Sequence, residues 1–255
     1  MHQVRPPNRV LTRTVALLAG ALALVGCGGG EARQPSANGT SVVGLVSSLP
    51  IVWPESQDIS ELLSQNDAEH WVLAALREQG EVRVLDSLDG ADGALPLPEG
   101  ALLVMAQPWP LSPQENVALD RWVREGGRLL LLADPMLTFE SAYALGDRRR
   151  PQDMAMLSPI LSRWGLRLLP VTDGAPLSEV VEIDGTPVPV ALPGEFETLP
   201  GSSCKTVASG LLAECGIGKG RVVALADAAL FESRVDEGER RLALRMLLQR
   251  LDTGS

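Results

Sequence analysis

Apolar residues fall in short runs along this chain, and the runs alternate between two periodicities. Ser41-Val42-Val43-Gly44-Leu45-Val46 is short and β-branched, the pattern of a buried first strand. A long polar segment follows from Ser47 to Gln65, after which Asn66 or Asp67 can cap a helix running through His70 to Leu76 and stopping at Gly80. Glu81 to Leu85 alternates and predicts a strand, and Leu88 to Gly100 is a loop rich in Gly, Pro and Asp. Ala101 to Ala106 is a continuous apolar run, as in a parallel strand buried on both faces.

The clearest unit comes next. Ser112-Pro113-Gln114-Glu115 is a capping box with proline at the first helical position, and Gly126-Gly127 ends the helix it starts. Arg128 to Asp134 is another buried strand, and strand–helix–strand favours a right-handed parallel crossover. Pro135 to Gln152 is irregular. A helix over about Ala155 to Trp164 stops at Gly165, Leu166 to Leu169 is a strand, and Val180 to Ile183 with Pro187 to Val190 flank Asp184-Gly185 as a hairpin. Arg221 to Asp227 is a further buried strand, and Asp236 with Glu239 forms a second capping box before Leu242 to Leu248. Alternating strands and helices with a late antiparallel section predict an α/β domain over residues 41–255. Its architecture is a three-layer sandwich with a mostly parallel sheet and a small antiparallel β appendage at about 178–216.

Two cysteines belong to that late section. If Thr206 to Ala208 and Leu211 to Ala213 pair across the turn Ser209-Gly210, the register brings Cys204 opposite Cys215. Directly opposed residues lie about 4.5–5.5 Å apart at Cα, within disulfide range. The alternation makes this a hydrogen-bonded pair, and a disulfide is expected, with two buried thiols as the alternative.

The N-terminus changes the address of the domain. Met1 to Arg13 carries three arginines and no acid, and the apolar run Thr14 to Val25 is shorter than the roughly 20 residues that span a bilayer. That is the pattern of a secretory signal over residues 1–26. Leu24-Val25-Gly26-Cys27 resembles the lipobox of bacterial lipoproteins, in which Cys27 becomes the lipidated new N-terminus. Glycine rather than aspartate at position 28 resembles the sorting signal for the outer membrane, facing the periplasm. Residues 27–40 lack periodicity and are rich in Gly, Ser and Pro, as a flexible tether would be. The expected membrane partner is therefore reached through the lipid. Removing the three arginines of residues 1–26 takes the net charge from -10 to -13, which disfavours nucleic acid and anionic head groups as partners.

Candidate chemistry is sparse. His70 is the one histidine after the signal, so a Ser/His/Asp or Cys/His system lacks a base. Neither a Gly-x-Ser-x-Gly elbow nor zinc spacing is present, and no cofactor or metal is expected. Gly216 to Gly220 precedes a strand instead of following one, so it is a β-turn and not a phosphate loop. Arg148-Arg149-Arg150 has the charge to bind an anion or an acidic partner, but a solvated loop is the preferred reading, since charge runs are usually surface. Ser47, Ser48, Gln107, Asp134 and Asp227 each stand just past an apolar strand and are expected to converge on one rim, where open parallel sheets bind ligands. Alternatively they cap helices or satisfy loop amides.

The stretches Ala101 to Pro108, Leu111 to Glu115 and Trp122 to Pro135 resemble the domain of gliding-motility-type auxiliary components of ABC transporters. Gly218 to Asp227 is similar to the late strand of that domain, and the resemblance covers about residues 41–250. It implies a flavodoxin-like fold of the class I glutamine amidotransferase-like superfamily. The catalytic members of that superfamily use a Cys-His-Glu triad, for which this chain has neither elbow cysteine nor suitable histidine. The resemblance thus implies a non-catalytic binding or accessory module with a protein partner in the envelope. Two other functions fit the residues: a metal-assisted hydrolase using Asp134 and Asp227, and a purely structural envelope lipoprotein.

Overall fold

The computed structural model describes residues 41–55, 69–90, 92–170, 177–232 and 236–252. The signal over 1–26, Cys27, the tether over 27–40, and the capping candidates Asn66 and Asp67 lie outside the described residues.

The central sheet follows from the apolar runs. Strands β1 (Val42–Ser47), β2 (Glu81–Val84), β3 (Leu102–Ala106) and β4 (Arg128–Leu132) are parallel, in the order β2-β1-β3-β4. Next to β4 lies β11 (Gly220–Leu225), also parallel, and beyond it β10 (Leu212–Ile217) and β9 (Cys204–Val207) run antiparallel. Alternation within each strand sorts the side chains into two separate cores. Leu45, Val104, Leu130, Leu132, Val223 and Leu225 face one core. Leu103, Met105, Leu129, Leu131, Val222 and Ala224 face the other. Continuous apolar sequence in β3, β4 and β11 is the signature of strands covered on both sides.

On the first face sit α1 (Trp71–Arg77), the short α4 (Ala229–Glu232) and α5 (Glu237–Asp252). The hairpin of β6 (Glu179–Ile183) and β7 (Thr186–Val190) joins them through Ile183, Val188 and Val190. The second face is covered by α2 (Pro113–Glu125) and α3 (Ser158–Trp164), through Leu119, Trp122, Val123, Ile160 and Trp164. A separate pair, β5 (Leu166–Pro170) with β8 (Gly194–Thr198), adds Leu166 and Phe196 to that core. The architecture is mixed α/β with a mostly parallel central sheet and two small antiparallel sheets.

Local signals explain the helix ends. Ser112 Oγ accepts from Glu115 N while the Glu115 carboxylate accepts from Ser112 N, the reciprocal box that the sequence predicts. For α1 the cap is neither Asn66 nor Asp67 but His70, whose Nδ1 accepts from Val72 N at 3.3 Å. That acceptor requires a neutral ring, and burial, then the charge of Arg240, lowers the pKa of His70. Helix α3 begins three residues later than the apolar pattern suggests, because Pro159 sits in its first turn and Leu157 supplies no side-chain cap. Between α2 and α3 the buried Asp120 accepts from Arg124 Nε (2.9 Å), Arg163 Nε (2.6 Å) and Trp164 Nε1 (3.0 Å). Burial pushes its carboxyl up, but the three donors together outweigh that and hold it below the usual range.

The late section differs from the expected appendage. Its second hairpin, β9–β10, is hydrogen-bonded to β11 and completes the seven-stranded sheet. The register pairs Cys204 with Cys215, and they form a disulfide with Cα atoms 4.1 Å apart. That spacing is closer to a non-hydrogen-bonded pair, about 4.5 Å, than to a hydrogen-bonded one, about 5.5 Å. The strands are joined by four residues, Ala208 to Leu211, not two, with Ala208, Ser209 and Gly210 all left-handed. Moving the closing pair outward by one residue inverts the alternation. Gly220 opens β11 against the carbonyls of Val123 and Gly127, where any Cβ would collide with backbone.

Candidate functional site

The parallel register sets the site. Ser47, Ala106, Leu132 and Leu225 are aligned in successive strands, so the residues beyond them share one edge of the sheet. All five predicted rim residues lie at this edge, and four of them are buried: Ser48, Gln107, Asp134 and Asp227 are at most 6% exposed.

These four form one polar layer. Gln107 leaves β3 in the left-handed conformation, φ 46°, with its N–H bonded to Leu132 O. Its side-chain Nε2 donates to Asp134 O (3.0 Å) and Gln152 O (2.8 Å), and its Oε1 accepts from Asp134 N (2.8 Å). Ser48 Oγ donates to Gln107 O and accepts from Gln152 N at 3.0 Å. Asp134 Oδ1 accepts from Met136 N (2.7 Å) and Oδ2 from Ala228 N (3.2 Å). Asp227 Oδ1 accepts from Ala229 N (2.6 Å) and Oδ2 from Ala191 N (2.8 Å). The layer therefore stitches four chain segments, those starting after β1, β3, β4 (which includes Gln152) and β11, to one another and to Ala191. Ser47 differs: it is partly exposed, and its Oγ accepts from Leu49 N at 3.0 Å in a local turn.

A third carboxyl joins the acids. Glu232, at the end of α4, has a buried Oε1 with no hydrogen-bond partner. Burial raises its pKa to about 8, with the Asp134 charge adding to the effect. Burial likewise raises Asp134 to about 6 and pushes Asp227 well up, the latter further raised by Asp134. All three are held toward the neutral form by lack of solvent. Each oxygen of Asp134 and Asp227 already accepts one amide. Among the described residues no group of three or more His, Cys, Asp or Glu is placed to hold a metal ion.

Above this closed layer the surface is open. A cavity of about 410 Å³ lies over the ends of β1 and β2, lined by Ser47, Trp53, Asp86, Trp109, Tyr143 and Arg148 among others. Strand order reverses direction at β1, with β2 on one side and β3 on the other, so this is the switch-point crevice of the sheet. A second cavity of about 660 Å³ adjoins it and shares Trp109 and Arg148, with Met154, Met156 and Gln152 in its wall. The segment after β4 forms much of both walls. Its placement comes from Glu55, whose carboxylate accepts from Ser141 Oγ (2.6 Å) and Ala142 N (2.5 Å). Arg149 lies over the Tyr143 ring, 4.2 Å from its centroid, and pairs with Asp147, whose carboxyl it holds down at about 2.

Of the predicted residues, then, Ser47 and the buried Ser48 line the crevice, while Gln107, Asp134 and Asp227 lie beneath it. Trp53, Trp109 and Tyr143 are not singled out by sequence reasoning, and Arg148 belongs to the arginine run for which a solvated loop is preferred over an anion or acidic-partner site. One signal was available: Gln107-Pro108-Trp109-Pro110 puts a tryptophan between two prolines directly after a strand, where no helix or strand can bury it.

Comparison with known proteins adds a family. A family model described as an ABC-type uncharacterized transport system matches residues 40–175, more than half of the chain. No curated protein matches the sequence significantly. Among solved structures, the exo-β-1,4-mannosidase Op5Man5 from Opitutaceae bacterium strain TAV5 superposes with a TM-score of 0.50 at 14% identity. The match covers 84% of this chain and 36% of that one. A β-galactosidase from Bacillus circulans sp. alkalophilus gives 0.44 at 11% identity, over 82% of this chain and 31% of that one. A cytoplasmic protein from Salmonella typhimurium LT2 gives 0.40 at 12% identity, over 82% and 99% of the respective chains. The chain spans about a third of the length of the two glycosidases it matches. At these identities the likeness to the mannosidase is one of fold alone.

Proposed function

The chain belongs to the family of the ABC-type uncharacterized transport system, and from that premise we propose that it is a lipid-anchored, extracytoplasmic accessory domain that binds a protein partner of a transporter in the envelope. One observation carries the proposal. The strand-end carboxylates spend their oxygens on loop amides, and the open crevice above them displays aromatic and arginine side chains, the types that dominate protein interfaces. A buried acid pair whose four oxygens each accept a loop amide supports an organising role over the metal-assisted hydrolase. We read the two-faced sheet as a flavodoxin-like sandwich of the amidotransferase-like superfamily whose catalytic constellation is missing from this chain.

The address rests on separate supports. The disulfide between Cys204 and Cys215 fits an oxidising compartment. No helix among the described residues is long and apolar enough to cross a membrane. The Cys27 lipid would supply attachment, and Gly28 favours the outer membrane, facing the periplasm. Crosslinking in intact cells followed by partner identification tests the whole: recovery of a transporter subunit is the expected result. Recovery of envelope polymer alone would favour a structural lipoprotein instead.

A further inference from the structure

The described surface has eleven exposed large hydrophobic side chains, and six of them lie in the three segments that follow β1, β3 and β4. Trp53 (81% exposed) and Trp109 (42%) stand in the first two, and Met136, Leu145, Met154 and Met156 in the third. Concentrated apolar exposure of this kind marks an interaction surface, and methionine adapts to varied partners. It stands out in a chain with few aromatics, since Trp71, Trp122, Trp164, Phe196 and Phe231 are all buried.

Charge adds direction. The protein is acidic, at -10. At the groove Arg149 is paired with Asp147 and Arg150 with Asp153, but Arg148 makes no ion pair with any described residue. Arg148 also lines both cavities, so an uncompensated guanidinium stands where the two lobes meet. Glu55 is already occupied by Ser141 and Ala142, which leaves Asp86 as the opposing acid at the far strand end. Each cavity offers apolar side chains within a mixed wall, Trp53 in one, Met154 and Met156 in the other and Trp109 in both. These flank one cation without an ion pair among the described residues, which fits a chain that places apolar side chains on either side of a carboxylate.

We propose that the groove over the ends of β1, β2 and β3 is the docking site for an extended segment of the partner protein, in which an Asp or Glu reaches Arg148 and neighbouring apolar side chains enter the lobes beside Trp53 and Trp109. This rests on the accessory reading and gives that partner its chemistry.

The test uses the full-length protein in detergent and a phage-displayed library of random twelve-residue peptides. Enriched peptides carrying Asp or Glu beside Trp, Phe, Leu or Met are expected. Synthetic copies should bind Arg148→Glu at least tenfold more weakly than the parent, and Arg121→Glu, at a residue that lines neither cavity of the groove, equally well. Circular dichroism should be unchanged, since both arginines are exposed. Failure to enrich peptides, or enrichment of basic peptides, or affinity unaffected by Arg148→Glu, overturns the proposal. Photocrosslinkers placed at Trp53 and at Arg121 in cells separate the two levels. A transporter subunit captured from Arg121 but not from Trp53 would sink the groove and leave the accessory function standing. Capture from neither position would sink both.

Discussion

Gln107 shows how one residue ties the strand ends into a closed polar layer. It accepts a left-handed backbone, which costs a non-glycine residue about 1–2 kcal/mol, and uses the resulting side-chain direction to satisfy three backbone groups at two distant points, Asp134 and Gln152, of the segment after β4. Gln107→Ala strands those groups in a buried layer, so a loss of about 2–4 kcal/mol is expected in urea unfolding, with loosening of the segment around Gln152. A loss below about 1 kcal/mol would mean that the layer is not structural. The acids beside it act on pH. Glu232, Asp134 and Asp227 all have pKa values raised in the folded state, so folding stabilises their neutral forms. Their contribution is complete below about pH 4, where the unfolded chain is protonated too, and is lost as pH rises through about 6 and then about 8. Thermal midpoints should therefore fall from pH 5 to pH 8.5, and Glu232→Gln should flatten that fall. A midpoint that rises with pH would contradict the assignment.

At the scale of elements, the hairpin β9–β10 has the most to say. Sequence register alone pairs Cys204 with Cys215, because intervening length and turn signals leave few alternatives. Missed was the destination of the hairpin: β10 finds β11 because Leu212, Ala213 and Cys215 are buried on both faces of the extended sheet, and no local pattern reveals a strand's neighbour. The disulfide closes a loop with a sequence separation of 11, for which the chain-entropy account gives about 2–4 kcal/mol. The Cys204→Ala/Cys215→Ala pair should lose about that much in urea unfolding, as should the parent in reductant. Equal midpoints in oxidised and reduced protein would show that the bridge is dispensable. The capping box at Ser112 was legible because its bonds are local; the cap of α1 was not, since His70 is an unusual capping residue and better ones precede it.

For the whole molecule the question is where it is held and what it meets. Mass spectrometry of the mature N-terminus should find a lipid-modified Cys27 and nothing upstream; a free N-terminus elsewhere would remove the anchor from the proposal. Two cores on opposite faces of one sheet leave the strand ends to present loops, and the groove proposed for the partner lies at that edge.

The sequence by itself determined the class of fold, the parallel strands, the hairpin register and the set of polar residues past the strand ends. All of these depend on periodicity or on contacts a few residues apart. Only the tertiary structure decided that Ser48, Gln107, Asp134 and Asp227 face inward, because each finds its amide partners on segments distant in the chain, from Gln152 to Ala191 and Ala228. Only it brought Trp53, Trp109 and Arg148 together, since nothing local records which loops the sheet order makes neighbours.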